Sequence, residues 1–132
     1  AEEETAAGPP AKVRSIDDAP MTRTLLGDIL SNLGHSHQAA SSGPQGLEAF
    51  DEAAAASRPF DLVLTDLGMP EMSGWEVVDA VKQRSPGTPV ALITGWGDQL
   101  DAEKMKQSPV DTVIAKPFNI EDIRRLLAKA LA

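Results

Sequence analysis

Residues 61–66 read Asp-Leu-Val-Leu-Thr-Asp, a run that is apolar almost throughout and closed by a carboxylate. Pro89–Thr94 (PVALIT) and Asp111–Lys116 (DTVIAK) repeat the pattern, each bounded by turn or polar signals. Runs this short, without polar alternation, suit strands covered on both faces, as in a parallel sheet. Val13–Ile16, ahead of Asp17–Asp18, is a weaker strand, and the weakest lies around His37–Ala40.

Helical periodicity fills the intervals. Met21–Leu33 sets Leu25, Leu26, Ile29, Leu30 and Leu33 on one face, with Gly34 as its C′ stop. Pro44–Ala56 opens with proline and carries Leu47, Phe50 and an alanine run, Ala53–Ala56, read as a close-packed face. Ser73–Arg84 presents Trp75, Val77, Val78 and Val81, with Trp75 packing its helix onto the sheet. Asp98–Gln107 is short and polar, anchored by Leu100 and Met105. Asn119–Leu131 starts with asparagine as N-cap, Asp122 three residues on, then Ile123, Leu126, Leu127 and Leu131. Strict alternation of strand and helix means right-handed crossovers, hence an α/β fold with helices on both faces of a parallel sheet.

The 132 residues fit one core. Residues 1–11 (AEEETAAGPPA) have linker composition, too polar to bury anything, and the folded domain is read as 12–132. The chain starts with Ala rather than Met, as a fragment of a longer protein or a chain with a processed start would. Its formal charge of −8 persists in sign when Glu2, Glu3 and Glu4 are set aside, so no nucleic-acid partner is expected of this domain. The absence of cysteine excludes disulfides, thiolate zinc sites and a cysteine nucleophile. No apolar run approaches the roughly 20 residues of a membrane span, and the acidic start is no signal peptide, so a cytoplasmic domain without membrane contact is expected.

Ligands of open parallel sheets bind at the carboxyl ends of the strands. The residues there are Asp17 and Asp18 after the first strand, Asp66 after the third, Thr94 after the fourth and Lys116 after the fifth. Three carboxylates converging on one rim repel and raise each other's pKa unless a cation is present. Mg²⁺ removes the penalty, since it takes hard oxygen ligands and keeps several waters. One carboxylate then remains as nucleophile, Thr94 can bond a phosphoryl oxygen, and Lys116 can neutralise another. The set has the make-up of a phosphoryl-transfer centre.

Asp17–Asp18, Asp66-Leu67-Gly68-Met69-Pro70 with Gly74, Thr94–Gly95 and Lys116-Pro117-Phe118 resemble the receiver domains of two-component signalling, in order and spacing over about 120 residues. The resemblance implies a flavodoxin-like (βα)5 fold with five parallel strands in the order 2-1-3-4-5. It implies phosphotransfer to Asp66 from a histidine kinase or its phospho-histidine domain. It assigns Mg²⁺ to Asp17, Asp18, Asp66 and the main-chain carbonyl of Gly68, the switch hydroxyl to Thr94 and the phosphoryl-binding amine to Lys116. It permits a cis Lys116–Pro117 bond. Gly68 and Trp96 fall at positions that tune phosphoryl lifetime in this family. With the N-terminal linker, the resemblance favours the C-terminal receiver of a hybrid histidine kinase, its kinase domains preceding residue 1, and next a freestanding receiver.

Two features depart from the family pattern. The switch-aromatic position holds Val113, and the first strand contains Arg14 and Ser15, where an unpaired charge would weaken the strand. Taken singly, each motif has a bland counterpart: a polar turn before Pro20, an Asx turn at Asp66, a plain strand exit at Thr94, a solvated Lys116. His35 and His37 read as a surface turn, too sparse for a metal site. An aspartate-nucleophile phosphohydrolase would want a second Asp where Gly68 stands. A degenerate receiver, serving only as a protein-interaction module, would lack part of the acidic set.

Overall fold

A computed structural model of the chain describes residues 10–95 and 102–131. Trp96, Asp98 and Leu100, and nearly all of the expected linker, lie outside the described residues. The elements in order are β1 (Lys12–Ile16), α1 (Pro20–Asn32), β2 (Ser36–Ala40), α2 (Gly43–Ala55), β3 (Leu62–Asp66), α3 (Gly74–Arg84), β4 (Val90–Thr94), α4 (Ala102–Gln107), β5 (Thr112–Ala115) and α5 (Ile120–Ala130). All neighbouring strands pair in parallel, in the order β2-β1-β3-β4-β5. That is the flavodoxin-like topology expected from the alternation and the family resemblance.

Alternating side chains of each strand feed two separate cores. Ile16, Val63, Val90 and Leu92 pack with Leu47 and Phe50 of α2 and with Trp75, Val77, Val78 and Val81 of α3. Val13, Leu62, Leu64, Ala91 and Ile93 pack on the other face with Leu26, Ile29 and Leu30 of α1 and Ile123, Leu126 and Leu127 of α5. Leu62, Val63, Leu64, Val90, Ala91 and Leu92 are 0% exposed, which accounts for the unbroken apolar runs of β3 and β4. At about 2 kcal/mol per fully buried aliphatic side chain, this central pair is the thermodynamic keel of the domain.

The outer strands differ. β5 is only half-buried, because it is a sheet edge, and its reading as a strand covered on both faces is corrected. β2 is mostly exposed, which explains its faint sequence signal.

Local chemistry sets the helix ends. Ser73 and Glu76 close a reciprocal capping box on α3, and Asn119 with Asp122 closes another on α5, each worth about 1 kcal/mol. Gly34 ends α1 at φ 89°, open to a residue without Cβ. Leu25, expected on the buried face of α1, is 45% exposed, since Leu26, Ile29 and Leu30 already fill that stripe. Of the alanine run only Ala53 packs on the core, and Met105 is exposed rather than an anchor.

The polar residues of β1 are accommodated rather than tolerated. Arg14, buried at 5% exposure, donates to Gln38 Oε1 at 3.1 Å and stacks 4.7 Å from the Phe60 ring centroid. Burial holds its guanidinium below the ordinary value. The Ser15 hydroxyl meets His37 Nε2 at 2.7 Å. His35 is buried and its Nδ1 accepts the Ala11 N–H at 2.9 Å. His35, just before β2, therefore ties that strand to the chain entering β1, and His37 ties it to β1 itself, instead of forming a surface turn. Ala11 is itself buried, so the core begins one residue before the expected boundary at Lys12.

Candidate functional site

Parallel register brings the strand ends to one rim. Ile16 stands beside Thr65, Asp66 beside Ile93, and Thr94 beside Ala115, so Asp66 and Thr94 at the ends of β3 and β4 emerge together with the residues that follow β1 and β5. Asp17, Asp18 and Asp66 each offer a carboxylate oxygen, and these oxygens lie within 4.8 Å of one another. Asp17 and Asp66 are buried, at 1% and 6% exposure, while Asp18 is exposed.

Asp66 is held from both sides by its backbone. The Thr65 hydroxyl donates to its carbonyl at 3.0 Å, and the next residue, Leu67, donates its N–H to Ile93 O at 3.0 Å. The Leu67 carbonyl in turn accepts from Gly74 N at 2.9 Å. A Cβ on Gly74 would stand 2.6 Å from the Asp66 carbonyl oxygen and 2.8 Å from Leu67 Cα. Only glycine lets the start of α3 come this near the strand end.

Asp17 is equally constrained. Its N–H donates to Ala40 O at 3.0 Å, its Oδ1 accepts the Ala19 N–H at 2.8 Å, and its carbonyl accepts from Arg23 Nη1 at 2.7 Å. Its other oxygen, Oδ2, is buried without a hydrogen-bond partner. Lys116 Nζ lies 3.2 Å from Asp17 Oδ2 and 3.3 Å from Asp66 Oδ1, within ion-pair distance; toward Asp17 Oδ2 the approach lacks hydrogen-bond alignment.

The electrostatics follow from this crowding. Burial, then the charge of Asp17, pushes the Asp66 carboxyl up to about 6, against the pull of Lys116. Burial opposes the Lys116 charge as well, but Asp17 and Asp66 outweigh it and hold the ammonium above the usual lysine range. Like charges about 4 Å apart repel by about 4 kcal/mol at an effective dielectric of about 20. One ammonium cannot balance three carboxylates. The buried Asp17 Oδ2, which accepts no hydrogen bond, and the all-oxygen donor set fit a hard divalent cation of the Mg²⁺ type.

Thr94 is buried beside the cluster, with its hydroxyl turned to the Ile114 carbonyl at 3.5 Å. Gly68 is exposed in the loop after Asp66. Val113 is half-buried against the α3-side core. The Lys116–Pro117 peptide is cis. Arg23 escaped the sequence reading; its only signal was a basic residue in the second turn of α1, six positions after Asp17.

The family model for the response regulator receiver domain matches residues 13–128. The chain is 34% identical over 117 residues to the probable chemotaxis protein CheY of Rhizobium etli, covering 86% of this chain and 86% of that protein. It is 33% identical over 120 residues to the response regulator protein PilR of Pseudomonas aeruginosa, covering 91% of this chain. It is 28% identical over 113 residues to the sensor histidine kinase RcsC of Salmonella typhi, covering 86% of this chain. The chain spans 26% of the length of PilR and 11% of that of RcsC. A receiver domain protein of Clostridium thermocellum superposes with a TM-score of 0.83 at 28% identity, over 92% of this chain and 94% of the other.

Proposed function

Since the chain belongs to the response-regulator receiver family, we propose that Asp66 is its phosphoacceptor, taking a phosphoryl group from the phospho-histidine of a histidine kinase. The observation that carries this reading is the position of the Asp66 carboxyl: buried at a strand end, 3.3 Å from Lys116 Nζ and clustered with Asp17 and Asp18. Asp17, Asp18, Asp66 and the Gly68 carbonyl would hold Mg²⁺, which when bound neutralises charge on the transferring group.

The chain's own residues have distinct tasks. Asp66, ionised above about pH 6, supplies the attacking oxygen. The P–N bond to the donor imidazole breaks as the P–O bond forms, and the imidazole leaves as the neutral ring after taking a proton. Lys116 moves from its carboxylate partners to a phosphoryl oxygen. The Thr94 hydroxyl leaves Ile114 O to donate to another, and β5 and its neighbourhood shift with it. Val113 in place of an aromatic leaves this movement without a large ring to follow it. Water later cleaves the acyl phosphate, with Gly68 and Trp96 setting the lifetime. These steps are stoichiometric on the protein itself, so the domain is a phosphoacceptor rather than a turnover enzyme.

A donor must reach Asp66 across the rim. Met21 and Leu25 of α1 and Ile120 of α5 are exposed apolar residues there, at 85%, 45% and 39%, and they suit a protein partner. Homology to RcsC supports fusion to kinase domains of a hybrid sensor kinase, with the receiver in the cytoplasm; among the described residues no helix is long and apolar enough to cross a membrane.

Incubation with acetyl phosphate and Mg²⁺, read by intact mass, tests the assignment. One phosphoryl adduct is expected, dependent on Mg²⁺ and absent from Asp66→Asn. An adduct that survives in Asp66→Asn would move the acceptor elsewhere.

A further inference from the structure

Arg23 has no part in the family motif, yet its guanidinium is the only described side chain that bonds the Asp17 main chain: Nη1 donates to the Asp17 carbonyl at 2.7 Å, half-buried at the rim. The bond closes a small cage. The Asp17 N–H is taken by Ala40 O, the carbonyl by Arg23, and Oδ1 by Ala19 N, so three of the four polar groups of Asp17 are hydrogen-bonded, while Oδ2 accepts no hydrogen bond and meets only the Lys116 ammonium as an ion pair. The Asp17 carbonyl belongs to the peptide joining Asp17 to Asp18. Holding it therefore fixes the stretch of backbone from which both carboxylates project.

We propose that Arg23 is a positioning residue for the cation site: by gripping the Asp17–Asp18 peptide it aims Asp17 Oδ2 and the Asp18 carboxylate at the same point. This rests on the reading of Asp17 and Asp18 as Mg²⁺ ligands. Arg23 does so without entering the site, because its hydrogen bond goes to a carbonyl, and among the described residues it is Lys116 that pairs with Asp17 and Asp66. Residues that orient metal ligands in this indirect way change affinity by about tenfold or more when removed.

The test is Mg²⁺ titration of the unphosphorylated protein, followed by tryptophan fluorescence, for wild type, Arg23→Ala, Arg23→Gln and Arg84→Ala. Arg84 pairs with Asp51 away from the rim and calibrates loss of an arginine as such. Arg23→Ala is expected to bind Mg²⁺ about tenfold more weakly, while its thermal midpoint stays near that of Arg84→Ala. Arg23→Gln, which keeps a neutral donor, should recover part of the affinity, and it carries the comparison if Arg23→Ala does not fold. Unchanged Mg²⁺ affinity in folded Arg23 variants overturns the proposal and leaves the Mg²⁺ site standing. A wild-type protein that fails to bind Mg²⁺ overturns both.

Discussion

Asp66 is a carboxylate placed where ionisation is unfavourable. Its carboxyl is raised to about 6 in the folded chain, whereas the unfolded chain titrates near 3.8. Between those values the native state binds more protons, so stability falls as pH rises through this window and stays lower above it. The shift corresponds to about 3 kcal/mol at most. Asp66→Asn should therefore raise the urea stability by about 1–3 kcal/mol at pH 8 without Mg²⁺, and the gain should shrink toward zero at pH 4. Equal gains at both pH values would mean that the charge is not the cause. The identity of every cluster residue was legible in the chain, because motifs mark strand ends. The pairing of Lys116 with Asp17 and Asp66 was not, since it depends on side-chain reach across the ends of four neighbouring strands. Arg23 was invisible for the same reason: a guanidinium bonding a main-chain carbonyl leaves no residue-type signature.

Among the elements, α3 approaches the end of β3 backbone against backbone. At Gly74 an added methyl meets backbone, which cannot swing aside, whereas at Gly87 it meets nothing within 4 Å. Gly74→Ala should cost about 2 kcal/mol or more despite the better helix propensity of alanine, and should slow acetyl phosphate labelling, because relief of the clash displaces the Asp66–Leu67 peptide. Gly87→Ala should leave both unchanged. Chemical denaturation and labelling rates, measured side by side, decide the matter; a harmless Gly74→Ala would show that the loop gives way freely. The same level exposes where pattern reading fell short. β3 and β4 were plain because burial on both faces enforces apolar runs. β2 was faint because an edge strand carrying Ser36, His37 and Gln38 satisfies its polar groups laterally, through Ser15 and Arg14, and those partners are 22 and 24 residues away in sequence.

For the molecule as a whole, cation binding and folding are linked. Three carboxylates and one ammonium meet only when the five strands are assembled, so a cation that needs the cluster binds the native state alone and stabilises it by about 2.7 kcal/mol at a hundred times its Kd. Mg²⁺ should raise the urea midpoint at pH 8, and Asp17→Asn should abolish most of that increase. An equal Mg²⁺ effect in both proteins would assign it to general screening. The topology itself was readable from alternation and from the family motifs; the extent of burial at the two sheet edges required the assembled structure.

Neither core cluster contains any of Asp17, Asp18, Asp66, Thr94 or Lys116. The reacting groups project from a frame whose apolar packing does not include them. Substitutions at the rim can thus retune timing and partner choice while the interior stays as it is, and interior repacking can be explored with the chemistry intact. For anyone building sensors or rewired circuits from this domain, rim chemistry and apolar packing are handles held by different residues, joined through the charge of Asp66 and the close approach at Gly74.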